Sequence, residues 1–409
     1  KTTNDKDSVT GDYTQLNKIL SNKYNNSYNT QRGGATYRVN VGKTSYSIGA
    51  DVQSADLQGE LIYPSAGHVD RNFLNVLPTA MFTYRKSKEQ SLRVMYRTNT
   101  NAPAITDLQN VVDYSNPLLL STGNPNLNQS YDHNLMIFYR TVDTKTSRTF
   151  FSMARGKYTS NYISSQTIIP SADTIINNVQ VNKGSQMVMP VNMNGYYSLN
   201  TFMVYGTPIS LLKSNINLSG GVNYTRTPTI INDQENISNN TAFSLRTYLG
   251  SNISEKADFN LSYSGTYNIV KNSLQKQSDN NYFTHTASAN VNFILGNRIV
   301  LNSSYNYTVY AGLTDSYNQG YQLWNAYVGY KFLKQKQLEA KLSVFDILKQ
   351  NTSISRTVNA TYTQDNQSTV LQRYFMVTLT YTLKNFVKGE MPVDNRPPGM
   401  PMHPPHRRD

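Results

Sequence analysis

The stretch RYFMVTLTYTLKNF, Arg373 to Phe386, alternates strictly: Phe375, Val377, Leu379, Tyr381 and Leu383 take the odd positions. Met376, Thr378, Thr380, Thr382 and Lys384 take the even ones. A period of two describes a strand with two unlike faces. The same pattern recurs, with Phe259, Leu261, Tyr263, Tyr267 and Ile269 set against Asn260, Ser262, Ser264, Thr266 and Asn268. It predicts about fifteen strands, at 35–41, 45–52, 79–85, 91–97, 131–141, 147–156, 191–205, 213–225, 242–253, 257–269, 284–295, 298–310, 322–333, 338–348 and 371–383. Most have about the 9 to 11 residues a tilted strand needs to cross a bilayer.

The connections fall into two alternating classes. GKT, RKSKEQ, VDTKT, PISL, SEK, GN and KQKQ are tight, and between them lie long polar segments such as Gln53–Pro78, Thr98–Ser130, Lys157–Pro190 and Arg226–Thr241. Short turns on one rim and long loops on the other are the habit of outer-membrane barrels, whose short side faces the periplasm. A soluble sandwich has no reason to sort its connections this way. The tight turns also carry or border cations, Lys43, Lys86, Lys145, Lys213, Lys256, Arg298 and Lys334 among them. At a membrane rim, such stems can lie along the apolar edge while their heads reach anionic headgroups.

Composition agrees with this reading. Apolar residues make up 38% and charged ones 15%, with 31 Tyr, one Trp and no Cys. That balance suits hydroxyl- and amide-rich strands, and no apolar run approaches the roughly 20 residues of a spanning helix. Closed barrels satisfy the backbone without one. Without cysteine there is neither a disulfide framework nor a thiolate metal site.

The fold expected is therefore all-β, a transmembrane antiparallel β-barrel. Because the last strand follows a long loop, it descends to the periplasm and leaves a Pro-rich tail, 387–409, on that side. Counting back through an odd number of strands, residues 1–34 form part of an extracellular loop, and 35–386 the barrel. Single-chain bacterial barrels have even strand numbers. The odd count suggests the C-terminal part of a larger barrel, and plugged 22-stranded transporters would leave about seven strands and the plug ahead of it.

The net charge of +13 is spread along the chain rather than clustered, which argues against nucleic acid. Its uses in a barrel are headgroups, lipopolysaccharide phosphates and the lumen, where Arg93, Arg97 and Lys331 fall on the polar face. Lumen cations favour an anionic solute or face acidic plug residues. Tyr46, Tyr84, Tyr96, Tyr205, Tyr224, Tyr330 and Tyr381 sit on apolar faces as interfacial girdles. In the loops, Tyr114, Tyr158 and Tyr162 can pack or stack on a ligand. The five histidines are scattered, and Asp132 and His133, adjacent in a strand, point to opposite faces and form no dyad. No catalytic set, resident metal or cofactor is expected. Gly220 and Gly221 lie inside an alternating strand and mark a bulge or a close approach.

Asn101 to Arg140 contains STGNPNLNQS before a strand, and this resembles the segment of TonB-dependent outer-membrane receptors in which a loop ends in Asn-Pro-x-Leu. Asn124, Pro125 and Leu127 match, whereas Asn128 and Gln129 stand where that family more often has Pro-Glu. Ser343 to Arg356 and the terminal strand resemble the closing strands of receptor-like barrels common in Bacteroidota. The similarity runs from about Ala35 to Phe386. It implies TonB-dependent uptake of a solute across the outer membrane, with the plug and the TonB box outside these residues. The partners it implies are membrane lipid and lipopolysaccharide, the plug with the remaining strands, and TonB through that plug. The alternative is a non-transporting barrel that serves as scaffold for a surface lipoprotein or other outer-membrane subunits.

Overall fold

The computed structural model describes residues 4–383 except 7–9, 17–20, 22, 64–66, 114–115, 177–178, 252–253, 255, 277–278, 313–319, 359–362 and 369. Its main sheet has 18 strands, of which Leu119–Ser121, Tyr162–Ile168 and Gln186–Met193 are short pieces at one rim. The other fifteen form the wall. They are β1 (Lys23–Val41), β2 (Thr44–Tyr63), β3 (Gly67–Arg85), β4 (Gln90–Asn101), β5 (Ser130–Asp143), β6 (Arg148–Ser160), β7 (Tyr196–Ile209) and β8 (Ser214–Ile231). There follow β9 (Gln234–Ser251), β10 (Ala257–Asn272), β11 (Asn280–Leu295), β12 (Ile299–Ala311), β13 (Gly320–Phe332), β14 (Leu338–Phe345) and β15 (Tyr374–Tyr381). Each pairs antiparallel with its sequence neighbour in the wall.

Residues directly opposite in an antiparallel pair share a face, so the registers turn the alternation of each strand into two continuous surfaces. Leu261, Ala289, Tyr305 and Trp324 follow one another across β10 to β13 on the outer face. Asn260, Asn290, Ser304 and Asn325 follow one another across the same strands on the inner face. The wall is apolar outside and polar inside. Phe375, Val377, Leu379 and Tyr381 lie on the outer face of β15, and Leu383 follows just past its end. The seven predicted girdle tyrosines lie on that outer face too, and Tyr46 packs on Phe82 with ring centroids 5.4 Å apart.

The apolar core is not in the middle of the barrel. Its two buried clusters lie at the rim of the long connections: Leu57, Leu108 and Leu127, and Leu120, Val181 and Met187.

Each predicted wall strand has its counterpart, but the boundaries shift. Gln53–Pro78, expected as a loop, is mostly strand, since β2 and β3 run to 20 and 19 residues. Arg226–Thr241 is likewise the top of β8 and β9, joined by Asn232 and Asp233, both at positive φ (45° and 64°). Two successive positive-φ residues make the tight hairpin turn whose twist matches the strands. Asn, Gln and Ser on both faces had hidden the alternation there. The expected loop 1–34 is also partly strand: β1 begins at Lys23, and Asn4–Lys6 pairs with Tyr13–Leu16. The strand expected at 191–205 divides at Gly195 (φ 93°), with Gln186–Met193 in the rim layer and β7 in the wall. Asp346, at φ 49°, ends β14 three residues early. The tail 387–409 lies outside the described residues.

Gly220 and Gly221 mark no bulge: the β8–β9 register passes through both, and the β7–β8 register has the same offset on either side of Gly221 and Val222, where its pairing lapses. Close approach is the reason at Gly221, where a Cβ would lie 2.1 Å from the Thr201 carbonyl oxygen.

β1 and β15 are neighbours in the order of the sheet, yet among the described residues no paired register joins them. Both are exposed: Phe375, Val377 and Leu379 at about 70%, Tyr37 at 72%. With an odd number of antiparallel strands in the wall, the two edges run the same way.

The two faces can be tested on adjacent residues midway along β11. Ala289→Arg on the outer face is expected to cost about 2–4 kcal/mol in a bilayer, whereas Ser288→Arg on the inner face stays within about 1 kcal/mol. Urea titration of the folded, heat-modifiable gel band in lipid vesicles measures both, and equal costs would mean the faces are misassigned.

Candidate functional site

The rim layer is built first by Asn124-Pro125-Asn126-Leu127. The Asn124 backbone N–H donates to the Asp107 carbonyl (2.6 Å), its side-chain oxygen accepts from the Asn126 N–H (2.9 Å), and its Nδ2 donates to the Pro190 carbonyl (3.0 Å). Leu127, 1% exposed, packs with Leu108 of the short helix α1 (Ile105–Leu108) and with Leu57, with Phe73 and Ile163 against them. Leu57 and Phe73 share the inner face of β2 and β3. Residues 102–113 and 116–129 therefore fold inward, over the lumen side of the rim. Residues 119–121 pair in parallel with 186–188, and Asn192 exchanges hydrogen bonds with the Asn128 backbone (2.8 and 3.0 Å), tying in the 161–195 segment. Gly123 is required within this layer, because a Cβ there would lie 2.4 Å from the Gln109 carbonyl oxygen.

Beneath the layer, β4, β5, β6 and β7 present their inner faces. The rows are Arg97–Asn134–Lys157, Met95–Met136–Arg155 and Arg93–Phe138–Met153, with Ser198 and Asn200 continuing them on β7. A concavity of about 420 Å³ is lined by Met136, Met153, Arg155, Lys157, Ser198 and Asn200.

The electrostatics of this wall are uneven. Lys157 lies 3.0 Å from Asp132 and above the Tyr196 ring, 5.7 Å from its centroid. Asp132, buried, also accepts from Thr159 (2.7 Å), Asn101 (2.8 Å) and Asn99 (3.2 Å), so its charge is fully engaged. Arg155 donates only to the neutral amide of Asn134 (2.9 Å). Among the described residues the ion pairs are Arg32–Asp51, Lys157–Asp132 and Lys271–Asp279, so Arg93, Arg97, Arg140 and Arg155 face the lumen without a carboxylate. Across β10 to β12 the inner face is mostly small and polar, with Ser262, Ser264, Ser288, Asn290, Ser304 and Asn306, while Arg246, Asp258 and Lys341 are charged residues around it.

Of the sequence candidates, Arg93 and Arg97 are in this patch and exposed to the lumen. Tyr158 is not a loop residue: it lies on the outer face of β6, with ring centroids 5.8 Å from His133 and 5.4 Å from Tyr197. Its surroundings are those of an aromatic girdle. Tyr162 belongs to the rim layer and stacks on Tyr196 at 4.2 Å, where burial, then the Tyr196 phenol, pushes its own phenol above the ordinary range. Tyr114 lies outside the described residues. Asp132 and His133 do point to opposite faces, and His133 Nδ1 meets the Tyr96 hydroxyl at 2.8 Å. The sequence does not single out Arg140, Arg155 or Lys157: the first two lie within the expected strands 131–141 and 147–156, and Lys157 falls just past the second, in an expected loop. Carrying the alternation on to Ser160 would have put Met153, Arg155, Lys157 and Thr159 on one face.

Asp132→Ala strands Lys157 and removes the acceptor of three donors, so it is expected to destabilise the protein by about 3–5 kcal/mol. Asp132→Asn keeps the shape and part of the bonding and is expected to cost less. Thermal unfolding in detergent compares the two, and a neutral Asp132→Ala would show that the network contributes nothing.

The model of the outer membrane protein beta-barrel family matches residues 1–228 and 213–381. A search of curated proteins found no match. Among solved structures, the trimer form of in-vitro folded OmpT, an outer membrane protein of Vibrio cholerae, aligns at 6% identity and TM-score 0.28, covering 73% of this chain and 93% of that one. A second OmpT structure aligns at 6% identity and TM-score 0.24, covering 74% and 94%. Alignments this weak support no functional comparison. The family match, across both halves of the wall, does identify the chain: it belongs to the outer membrane protein beta-barrel family and resides in the outer membrane.

Proposed function

We propose that this barrel is the C-terminal part of a receptor for TonB-dependent uptake of a solute, with its plug outside this chain. The observation that carries the reading is the seam. β1 and β15 run in the same direction, no paired register joins them among the described residues, and antiparallel pairing to both is met only by an odd number of further strands. Added to fifteen, that gives an even wall wider than the one described, and barrels of about 22 strands have lumens wide enough to need a plug. The Asn124–Leu127 anchor is the second support, since it matches the receptor-like motif. In this arrangement the short-turn rim faces the periplasm, the tail after Leu383 lies there, and the rim cations Lys43, Lys213 and Lys256 meet lipid headgroups. Arg226, on the outer face at the opposite rim, 5.5 Å from the Tyr197 centroid, is placed for lipopolysaccharide phosphates.

One feature favours a second reading. The inward-folded rim layer narrows the mouth over β4 to β7, as a scaffold barrel capped by a surface lipoprotein would.

Extraction from native outer membranes under denaturing conditions, with intact mass and N-terminal sequencing, separates the two. A single chain much heavier than 46.2 kDa that reads into a plug domain is the result expected of the receptor. A barrel polypeptide with no plug, recovered with stoichiometric partner subunits, would overturn it in favour of the scaffold.

A further inference from the structure

The unpaired arginines converge on something more specific than a charged wall. Arg97 and Arg155 lie on either side of β5, offset by one residue pair, with Met136 between and below them. Strand spacing puts their backbones about 10–12 Å apart, so two arginine side chains of about 6 Å reach can meet over Met136. Guanidinium forks bind carboxylate or phosphate bidentately. Met136 and Met153 add an unbranched, polarizable apolar floor, and Ser198 and Asn200 add neutral hydrogen-bonding groups at its margin.

The nearest acid is not available to Arg155. Asp132 is saturated by Lys157, Thr159, Asn99 and Asn101, and Asn134, which holds Arg155, also donates to Asn99 (3.2 Å), so the network below is closed on itself. What remains is a group of arginines with no carboxylate of its own above a soft floor, a layout that gathers anions at one place.

We infer that the concavity over Met136 and Met153 binds a small organic anion, its carboxylate or phosphate held between Arg97 and Arg155 and its apolar part resting on the two methionines. The inference deepens the uptake reading by giving the solute a chemical class. Its test needs no energy source, so it stands or falls separately from TonB dependence.

The test is equilibrium binding of 4-nitrophenyl phosphate to the full-length protein in detergent, with inorganic phosphate and 4-nitrophenol as the two half-probes. Saturable binding is expected, weaker for either half-probe and falling as salt rises. Arg155→Gln and, independently, Arg97→Gln are expected to weaken it about tenfold or more, and Arg155→Lys to restore part of the loss. Arg246→Gln, an inner-face cation on β9 outside the patch, is expected to leave it unchanged. Retention of the heat-modifiable band shows that each variant is folded. Three results would overturn the inference: no binding to the full-length protein, which would leave the patch as a docking face for an acidic segment of the protein itself; equal loss in Arg246→Gln; or no loss in either patch variant.

Discussion

A wall in a membrane has no water to satisfy its backbone, so every strand must find a partner on each side. In this chain that requirement is met strand by strand from β1 to β15 by sequence neighbours, and the continuity of the ladder is what gives the two faces meaning. Pairing fixes which residues are opposite, opposite residues share a side, and one register slip would exchange lipid and lumen along a whole strand. Among the described residues no paired register joins β1 and β15, the seam of the wall.

Stability is distributed differently from that of a soluble domain. The apolar surface of Leu261, Trp324 or Leu379 is turned outward to lipid, while buried side-chain packing is concentrated at one rim, around Leu57, Leu108, Leu127, Leu120 and Met187. That rim is where hydrogen bonds from Asn124 and Asn192 tie two long connections into one layer. Its position above the Arg97–Arg155 patch means that any solute reaching the patch from that rim passes residues held by packing and not by free loops.

How much of this could be read in the sequence follows from the same physics. The wall strands were legible because burial in lipid forces strict alternation, as in Phe375 to Leu383. Their upper ends were not, because above the bilayer nothing demands an apolar face, and Gln53 or Asn239 reads as loop whether or not it is paired. The turn at Asn232 and Asp233 carried its own signal in two residues tolerant of positive φ, obscured by the polar flanks. Arg93 and Arg97 were legible as inner-face cations from their own strand. Their company was not, since Arg155 and Lys157 join them only through the register of β5 with β6, and Asp132 claims Lys157 only once three strands are side by side.

The nearest-neighbour order of the wall also bears on how the molecule forms. Every ladder from β1 to β15 joins strands adjacent in the wall, and most are simple hairpins. Such local contacts close short loops and form fast. Completing the ring at the seam is a different event, since whatever pairs with β1 and β15 must bridge points separated by nearly the whole described chain. The entropy of closing a loop of that length is on the order of 5 kcal/mol by the logarithmic law, with no gain until the last edge is paired. A chain built this way zips readily and closes slowly, so the time it spends as an open, curled sheet is set by its seam.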